Sequence, residues 1–361
     1  MKFTIDPKLL AQTVASVARA LPQRPVVPVL SGLLLHADGD QLTVSAFDYD
    51  TSHRGTIAAD VAEPGKALLP GRLLAEVVRS LPTGMFADVA ATDREVVITC
   101  GRSEFALITL PVEDYPNLPE PPPPSGTVDG ALFAHAVEQV AVACSRDDTL
   151  PALTGVRVDA DGERLTLAAT DRYRIAVRDL PWQPAAATSL GQLVPGRVLL
   201  DLTRDVGAGP VTLAFNDKLA AASTAVREST VRLLDEQFID YRARVDIDMP
   251  IVATVDAAAL ADAVTRVALV AEKNTAVHLA FSDGEVLIRA GGGDIGRAGD
   301  AVPCELAGEH VEIAFQSRFL LDALAAVGGQ ARIGMTGEHK PALFSTEDGA
   351  YRQLLMSLRT A

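Results

Sequence analysis

The residue patterns in this chain that could carry out catalysis or hold a cofactor fail on spacing. Gly291-Gly292-Gly293-Asp294-Ile295-Gly296 satisfies Gly-x-Gly-x-x-Gly and follows the strand-like Val286-Leu287-Ile288-Arg289-Ala290, the combination that cradles a dinucleotide pyrophosphate. That chemistry also needs a helix N-terminus behind the glycines. Arg297-Ala298-Gly299-Asp300-Ala301-Val302-Pro303 reads instead as a loop leading to another strand, so a glycine-rich hairpin connection is expected there. The match is the one feature in favour of a ligand-binding or enzymatic repeat protein. His36, His53, His135, His278, His310 and His339 show no His-x-x-x-His or Cys/His spacing, so no metal is expected. Gly-x-Ser-x-Gly is missing, and Asp147-Asp148 or Asp246 with Asp248 reads as surface acid rather than a catalytic pair. The expectation is a protein that is not an enzyme and needs no cofactor.

The elements that would position any site repeat three times. Leu68 to Arg79, Leu-Leu-Pro-Gly-Arg-Leu-Leu-Ala-Glu-Val-Val-Arg, recurs as Leu-Val-Pro-Gly-Arg-Val-Leu-Leu-Asp-Leu-Thr-Arg from Leu193 to Arg204, and a weaker third copy starts at Ala314. Leu30-Ser31-Gly32 and Leu153-Thr154-Gly155 each open a strand-like run, and apolar helical stretches begin at Asp6, Asp129 and Asp256. All advance by roughly 120 residues, a period that means copies of a whole domain. We expect domains over 1–120, 127–247 and 251–361. Pro119 to Gly126 is a stiff linker at the first junction, and Asp246-Ile247-Asp248-Met249-Pro250 marks the second. Each copy reads as two helices and about eight strands, hence α+β, with Val14, Val17 and Ala18 in the first helix and Leu73, Val77 and Val78 in the second as the core-facing stripes. Repeats set side by side can pair their strand edges.

Composition is that of a globular protein, 48% hydrophobic and 22% charged over 361 residues, and no run is long enough to span a membrane. Cys100, Cys144 and Cys304 lie far apart, which suits buried thiols in a cytoplasmic protein better than a disulfide framework. The net charge of −15 is unevenly spread. In the stretches read as helices, 6–21, 70–82, 129–146, 195–206, 256–274 and 316–328, Lys8, Arg19, Arg72, Arg79, Arg146, Arg197, Arg204, Arg266, Lys273 and Arg318 are matched by an equal number of acids. Strands and loops therefore carry the acid. A ring with a neutral-to-basic lining would show this, and so would an acidic protein with arginines on solvated helix faces.

The repeats, the start Met1-Lys2-Phe3-Thr4, Arg24-Pro25-Val26-Val27-Pro28-Val29-Leu30, Ala169-Thr170-Asp171-Arg172-Tyr173-Arg174-Ile175-Ala176, Leu110-Pro111 with Asp114-Tyr115-Pro116-Asn117-Leu118-Pro119, and the ending Leu354-Leu355-Met356-Ser357-Leu358-Arg359 together resemble the bacterial DNA polymerase III β subunit, or sliding clamp, family over the whole chain. The resemblance implies three clamp-type domains, each two helices packed on β-sheets, and a homodimer closed head to tail into a ring around duplex DNA without sequence specificity. By the same match Arg24, Arg72, Arg79 and Arg197 face DNA. Short apolar peptides of the replicative polymerase, the clamp loader and repair proteins would enter a pocket at Leu153, Thr170, Arg172, Tyr173, Arg174, Ile175, Ile239, Phe319, Pro341, Met356, Ser357, Leu358 and Arg359. Phe105 would pack on Leu269 and Val270 of a second copy.

Departures from the family pattern fall in functional places. Ile239 and Ser357 stand where proline is common. The loop Arg146-Asp147-Asp148-Thr149-Leu150-Pro151 carries acid where a polar contact to DNA is usual, and Leu150 where arginine is. Glu104 and Arg297 look like an interface pair with its signs exchanged. A specialised paralogue, altered to work in the presence of a pocket-blocking peptide toxin, is therefore a second expectation beside the housekeeping clamp.

Overall fold

The structure, a computed structural model, describes residues 1–92, 94–186, 189–204, 206–270, 276–291 and 296–359. Its helices begin where the sequence places them, for visible reasons. The Asp6 carboxylate accepts the Lys8 N–H at 2.8 Å to cap Pro7–Val17, and the Asp256 carboxylate accepts the Ala259 N–H at 2.7 Å to cap Ala257–Val267. The Pro-Gly-Arg repeats mark strand-to-helix corners at Gly71–Ser80 and Gly196–Thr203. A Cβ on Gly71 would lie 2.5 Å from Leu21 Cδ1 and 3.0 Å from the Ser31 carbonyl oxygen. One on Gly196 would lie 2.5 Å from Cys144 Sγ and 3.0 Å from the Thr154 carbonyl oxygen, so glycine repeats because the chain must pass that close. Pro70 and Pro195 each end a strand at a sheet edge, where a missing N–H costs no ladder bond.

Two compact units result. The first comprises Met1–Ala131, Gln183–Ala186 and Asp201–Leu233. It holds a five-stranded sheet in the order Asp60–Glu63, Lys2–Ile5, Ala87–Ala91, Glu95–Cys100, Ser103–Ile108. It also holds a nine-stranded sheet in which Arg227–Arg232 pairs antiparallel with Thr51–Ala58, Val231 opposite Thr51, so strands of the second repeat continue a sheet of the first. Leu10, Val14 and Val17 of the first helix and Leu74, Val77 and Val78 of the second are buried in one core with strand residues such as Phe3, Leu35 and Ile98. Burying each large apolar side chain supplies about 1.5–3 kcal/mol. The expected stripe is corrected at one position: Leu73 is 46% exposed, and Leu74 takes the core position. Both leucines satisfy the spacing, and packing chooses between them.

The second unit comprises Leu132–Trp182, Ala187–Leu200 and Leu234–Ala361. Its twelve-stranded sheet is joined in the same way, Arg174–Pro181 pairing antiparallel with Tyr351–Leu355 and Arg174 opposite Leu355. Helices Ala257–Val267 and Ser317–Val327 cover it, with Leu260, Val264, Leu320 and Leu324 buried. Strand Gly284–Gly291 pairs antiparallel with Arg297–Ala307, so a strand follows the glycine-rich run; its residues 292–295 lie outside the described residues. The end of the 256–274 stretch falls partly on 271–275, also outside them. The cysteines are unpaired; Cys100 and Cys304 are buried, and burial, assisted by Asp171, pushes the Cys144 thiol up to about 12. Among the described residues no helix is long and apolar enough to cross a membrane.

Burial also sets a pH dependence in the first unit. His53, on Thr51–Ala58, is 6% exposed, with Ser229 Oγ 3.4 Å from Nδ1; desolvation, then Arg19 and Arg227, lower its pKa from 6.5 to about 4. A folded-state pKa below the unfolded one means that the unfolded chain binds the proton first. Stability is therefore whole above pH 6.5 and falls as pH drops towards 4. The expected loss from this residue between pH 7 and pH 5 is about 2 kcal/mol. Urea unfolding at both pH values checks it: His53→Gln should lose less than the natural chain over that interval, and equal losses would assign the effect elsewhere.

Candidate functional site

The second unit gathers one surface site around the turn joining strands Arg164–Thr170 and Arg174–Pro181. Asp171 Oδ1 accepts the N–H of Tyr173 at 3.0 Å and of Arg174 at 3.1 Å, which holds Arg172 in the left-handed region at φ 77°. Thr170 Oγ1 donates to the Arg174 carbonyl at 2.7 Å. The Arg174 side chain is turned inward, and its guanidinium donates to Asp171 Oδ2 at 2.9 Å, to Asp322 Oδ2 at 2.7 Å and to the Val142 carbonyl. It lies 4.7 Å from the centroid of the Phe319 ring. Tyr173 stacks on that ring, centroids 5.6 Å apart at 23°, so Phe319 contacts both a cation and a second ring.

The C-terminal segment closes one side. Met356 N–H donates to the Tyr173 carbonyl at 2.9 Å, and Leu358 N–H donates to the Ala314 carbonyl at 2.7 Å. Met356 is 46% and Tyr173 55% exposed, which leaves an apolar, polarisable surface beside Phe319. The structure thus brings Thr170, Arg172, Tyr173, Arg174, Phe319, Met356, Ser357 and Leu358 together, with Arg359 exposed at the end. Ile175 lies in the apolar cluster beneath, with Val177, Tyr241 and Leu354. Leu153 is half-buried on the single turn Pro151–Thr154, its carbonyl accepting the Ser145 N–H at 2.7 Å, and Pro341 is half-buried ahead of strand Ala342–Ser345.

Ile239 stands between Phe238 and Tyr241, which pack in the same apolar cluster as Ile175. It is 39% exposed, in a depression lined also by Arg157, Asp159, Phe238, Tyr241 and Arg242. The Tyr241 hydroxyl donates to Asp159 at 2.8 Å, and Asp159 also accepts from Arg157 at 2.7 Å, which clamps that linker to the sheet. Burial and then this hydrogen bond raise the Tyr241 pKa. The anchors Asp171 and Asp322 were not singled out from sequence. Asp322 had a signal, since Leu-Leu-Asp repeats at Leu199-Leu200-Asp201 and Leu320-Leu321-Asp322.

The other expected residues are surface groups on ordered elements. Arg72 and Arg79 are exposed on Gly71–Ser80, seven residues apart and so close to one face, and Arg197 is exposed at the second position of Gly196–Thr203. Arg24 is exposed in the loop before the helical turn Pro28–Ser31. Among the described residues none of the four is engaged by a carboxylate, unlike Arg204 with Asp201 at 2.9 Å or Arg266 with Asp300 at 2.7 Å. Phe105 is half-buried and Glu104 exposed on Ser103–Ile108, the outermost strand of the five-stranded sheet. Ile108 on that strand is 75% exposed, a feature the sequence reading missed. In the second unit Leu269 is 81% exposed on the turn Ala268–Val270, where Val270 is half-buried. Arg297 is exposed at the start of a strand that pairs along 297–304 with Gly284–Gly291, whereas only 304–307 pair with Ile251–Asp256, which leaves one edge open among the described residues.

Comparison with known proteins matches the N-terminal, central and C-terminal domain models of the DNA polymerase III beta subunit to residues 1–119, 127–240 and 248–359. The beta sliding clamp of Streptomyces coelicolor is 42% identical over 374 residues, covering 99% of both chains. The beta sliding clamp homolog GriR of Streptomyces muensis is 39% identical over 371 residues, again covering 99% of both. Among solved structures, a Pseudomonas aeruginosa sliding clamp bound to griselimycin superposes with TM-score 0.95 at 28% identity, covering 100% of each chain.

Proposed function

The chain belongs to the DNA polymerase III beta subunit family, a DNA sliding clamp of three α+β domains that tethers and does not catalyse, and from that premise we propose how its residues are used. The observation that carries the proposal is the stacked Tyr173–Phe319 pair, in which Tyr173 is exposed beside Met356 and the half-buried Phe319 is held by Arg174. This is the peptide site: an apolar side chain from a polymerase, clamp loader or repair protein packs on the ring pair, and Met356 repacks around different sequences. Domains divided at 1–120, 127–247 and 251–361 assemble as a cytoplasmic homodimer, the edge strand Ser103–Ile108 of one copy meeting the open edge at Arg297–Pro303 of the other. Edge strands of this kind are stable once paired, and Phe105, Ile108 and Leu269 supply apolar contact there. Retention on nicked circular DNA and release on linearisation test the topological reading; equal release from both would overturn it.

Arg24, Arg72, Arg79 and Arg197 contact phosphates loosely enough to slide. Changing Arg24, Arg72 or Arg197 to alanine is expected to leave folding intact, since each is exposed, and to lower the slope of log affinity against log salt by about 0.9 for each phosphate no longer neutralised. Unchanged slopes for all three variants would remove them from the DNA surface.

The likeness to GriR fits a second reading beside the sliding clamp, a specialised paralogue with an altered pocket. Ile239 and Ser357 leave backbone freedom that proline would remove, so a rigid cyclic ligand fitted to a proline-walled pocket should bind this chain more weakly than a flexible linear peptide does. Calorimetry on Ile239→Pro with Ser357→Pro is expected to show the cyclic ligand gaining affinity and the linear peptide nearly unchanged; no gain for the cyclic ligand favours the housekeeping clamp.

A further inference from the structure

Resting on the peptide-site reading, we infer that Arg172 is a specificity-determining residue that makes this site prefer linear peptides with a carboxylate next to the apolar anchor. The turn requires a left-handed residue at this position whatever its side chain. The first repeat has the same turn, where Asp48 Oδ1 accepts the N–H of Asp50 at 3.0 Å and of Thr51 at 2.6 Å, and Tyr49 takes φ 76°. Glycine would occupy such a position without strain, whereas a side chain with a Cβ costs free energy there. The guanidinium of Arg172 is therefore carried at an energetic cost, directly beside the exposed Tyr173.

Local electrostatics give that cation a use. Asp171 and Asp322 share the single positive charge of the buried Arg174, so that trio carries one net negative charge against the exposed arginines around it. Asp147 is held on its own loop by the Thr149 hydroxyl at 2.6 Å and N–H at 3.0 Å. Exposed Arg172 on the turn, Arg318 beside Phe319 and Arg359 after Leu358 form no ion pair among the described residues, although the Thr149 hydrogen bonds, helped by nearby Arg172, hold the Asp147 carboxyl below its usual range. A chain of net charge −15 thus presents local positive charge on the three segments that meet at its aromatic pair. Such a site attracts an anionic partner and discriminates mainly through complementary charge at its rim.

The test uses the full chain and two labelled linear peptides that share a Leu-Phe anchor and differ only in a neighbouring glutamate or glutamine. Anisotropy titrations at low salt are expected to show the glutamate peptide binding about two- to fivefold more tightly, the range open to an exposed ion pair. In Arg172→Gly, which suits the left-handed turn and so should fold, the glutamate preference should vanish, read as the ratio of the two affinities so that any change shared by both peptides cancels. Arg172→Glu should reverse it, favouring a lysine peptide, and about 1 M salt should erase it in the natural chain. A preference that survives in Arg172→Gly, equal weakening of both peptides, or no preference in the natural chain would overturn the inference. Lower affinity of Arg172→Gly for duplex DNA would overturn it too, assigning the residue to phosphate contact. Failure of both peptides to bind the natural chain would instead overturn the peptide-site reading beneath it.

Discussion

Arg174→Ala is expected to lower the unfolding free energy of the second unit by about 3–5 kcal/mol, because it removes one member of a buried charge network and leaves the others unpaired. The guanidinium side chain is 3% exposed, against 13% for the Asp171 side chain and 34% for that of Asp322. The effect at Asp322 is therefore partly screened by water, and the cost falls chiefly on Asp171, on the Val142 carbonyl and on the packing against Phe319. Arg174→Lys keeps the charge without the fork that reaches three acceptors, so an intermediate destabilisation is expected. Denaturant unfolding of both variants, with peptide titration at a temperature where each is folded, checks this. A change below about 1 kcal/mol for Arg174→Ala would mean that water or a rearranged side chain replaces the network.

Leu269→Asp is expected to convert the proposed dimer to single chains with little change in the stability of each chain. Leu269 is 81% exposed within one copy, so its substitution removes little intramolecular packing. In the proposed joint it meets Phe105 of the second copy, and a carboxylate there would be desolvated without a partner. Truncating an anchor at the centre of an interface costs about 2 kcal/mol or more, roughly thirtyfold in the dimer dissociation constant. Sizing across a dilution series should find the variant at monomer mass where the natural chain is a dimer, and retention on circular DNA should disappear with it. A dimer of unchanged affinity would remove Leu269 from the joint. The pair Glu104 and Arg297 should act more weakly. Each is exposed, so Glu104→Arg should weaken the dimer by about 0.2–1 kcal/mol, and Glu104→Arg combined with Arg297→Glu should restore it. That sign pattern also predicts reluctant mixing with a clamp that carries the usual charges, readable by subunit exchange.

What the sequence determined by itself is what short-range patterns encode. The three-fold repeat, the capping aspartates at 6 and 256, and the Pro-Gly-Arg corners are local, since a cap or a corner is set by residues within a few positions of one another. The family resemblance was equally legible, because motifs in order survive where contacts are unknown. Tertiary structure decided the rest. The Arg174–Asp322 bond joins residues 148 apart in sequence, and no periodicity announces such a pair. Leu73 and Leu74 both suit an amphipathic stripe, and only the neighbouring sheet determines which one is buried. Among the described residues the edge at Arg297–Pro303 is open because Ile251–Asp256 pairs with the far end of that strand, a register that alternating hydrophobicity leaves undetermined. Local order is written in neighbouring side chains, whereas a binding site is made where distant segments compete for one place, and packing settles that competition.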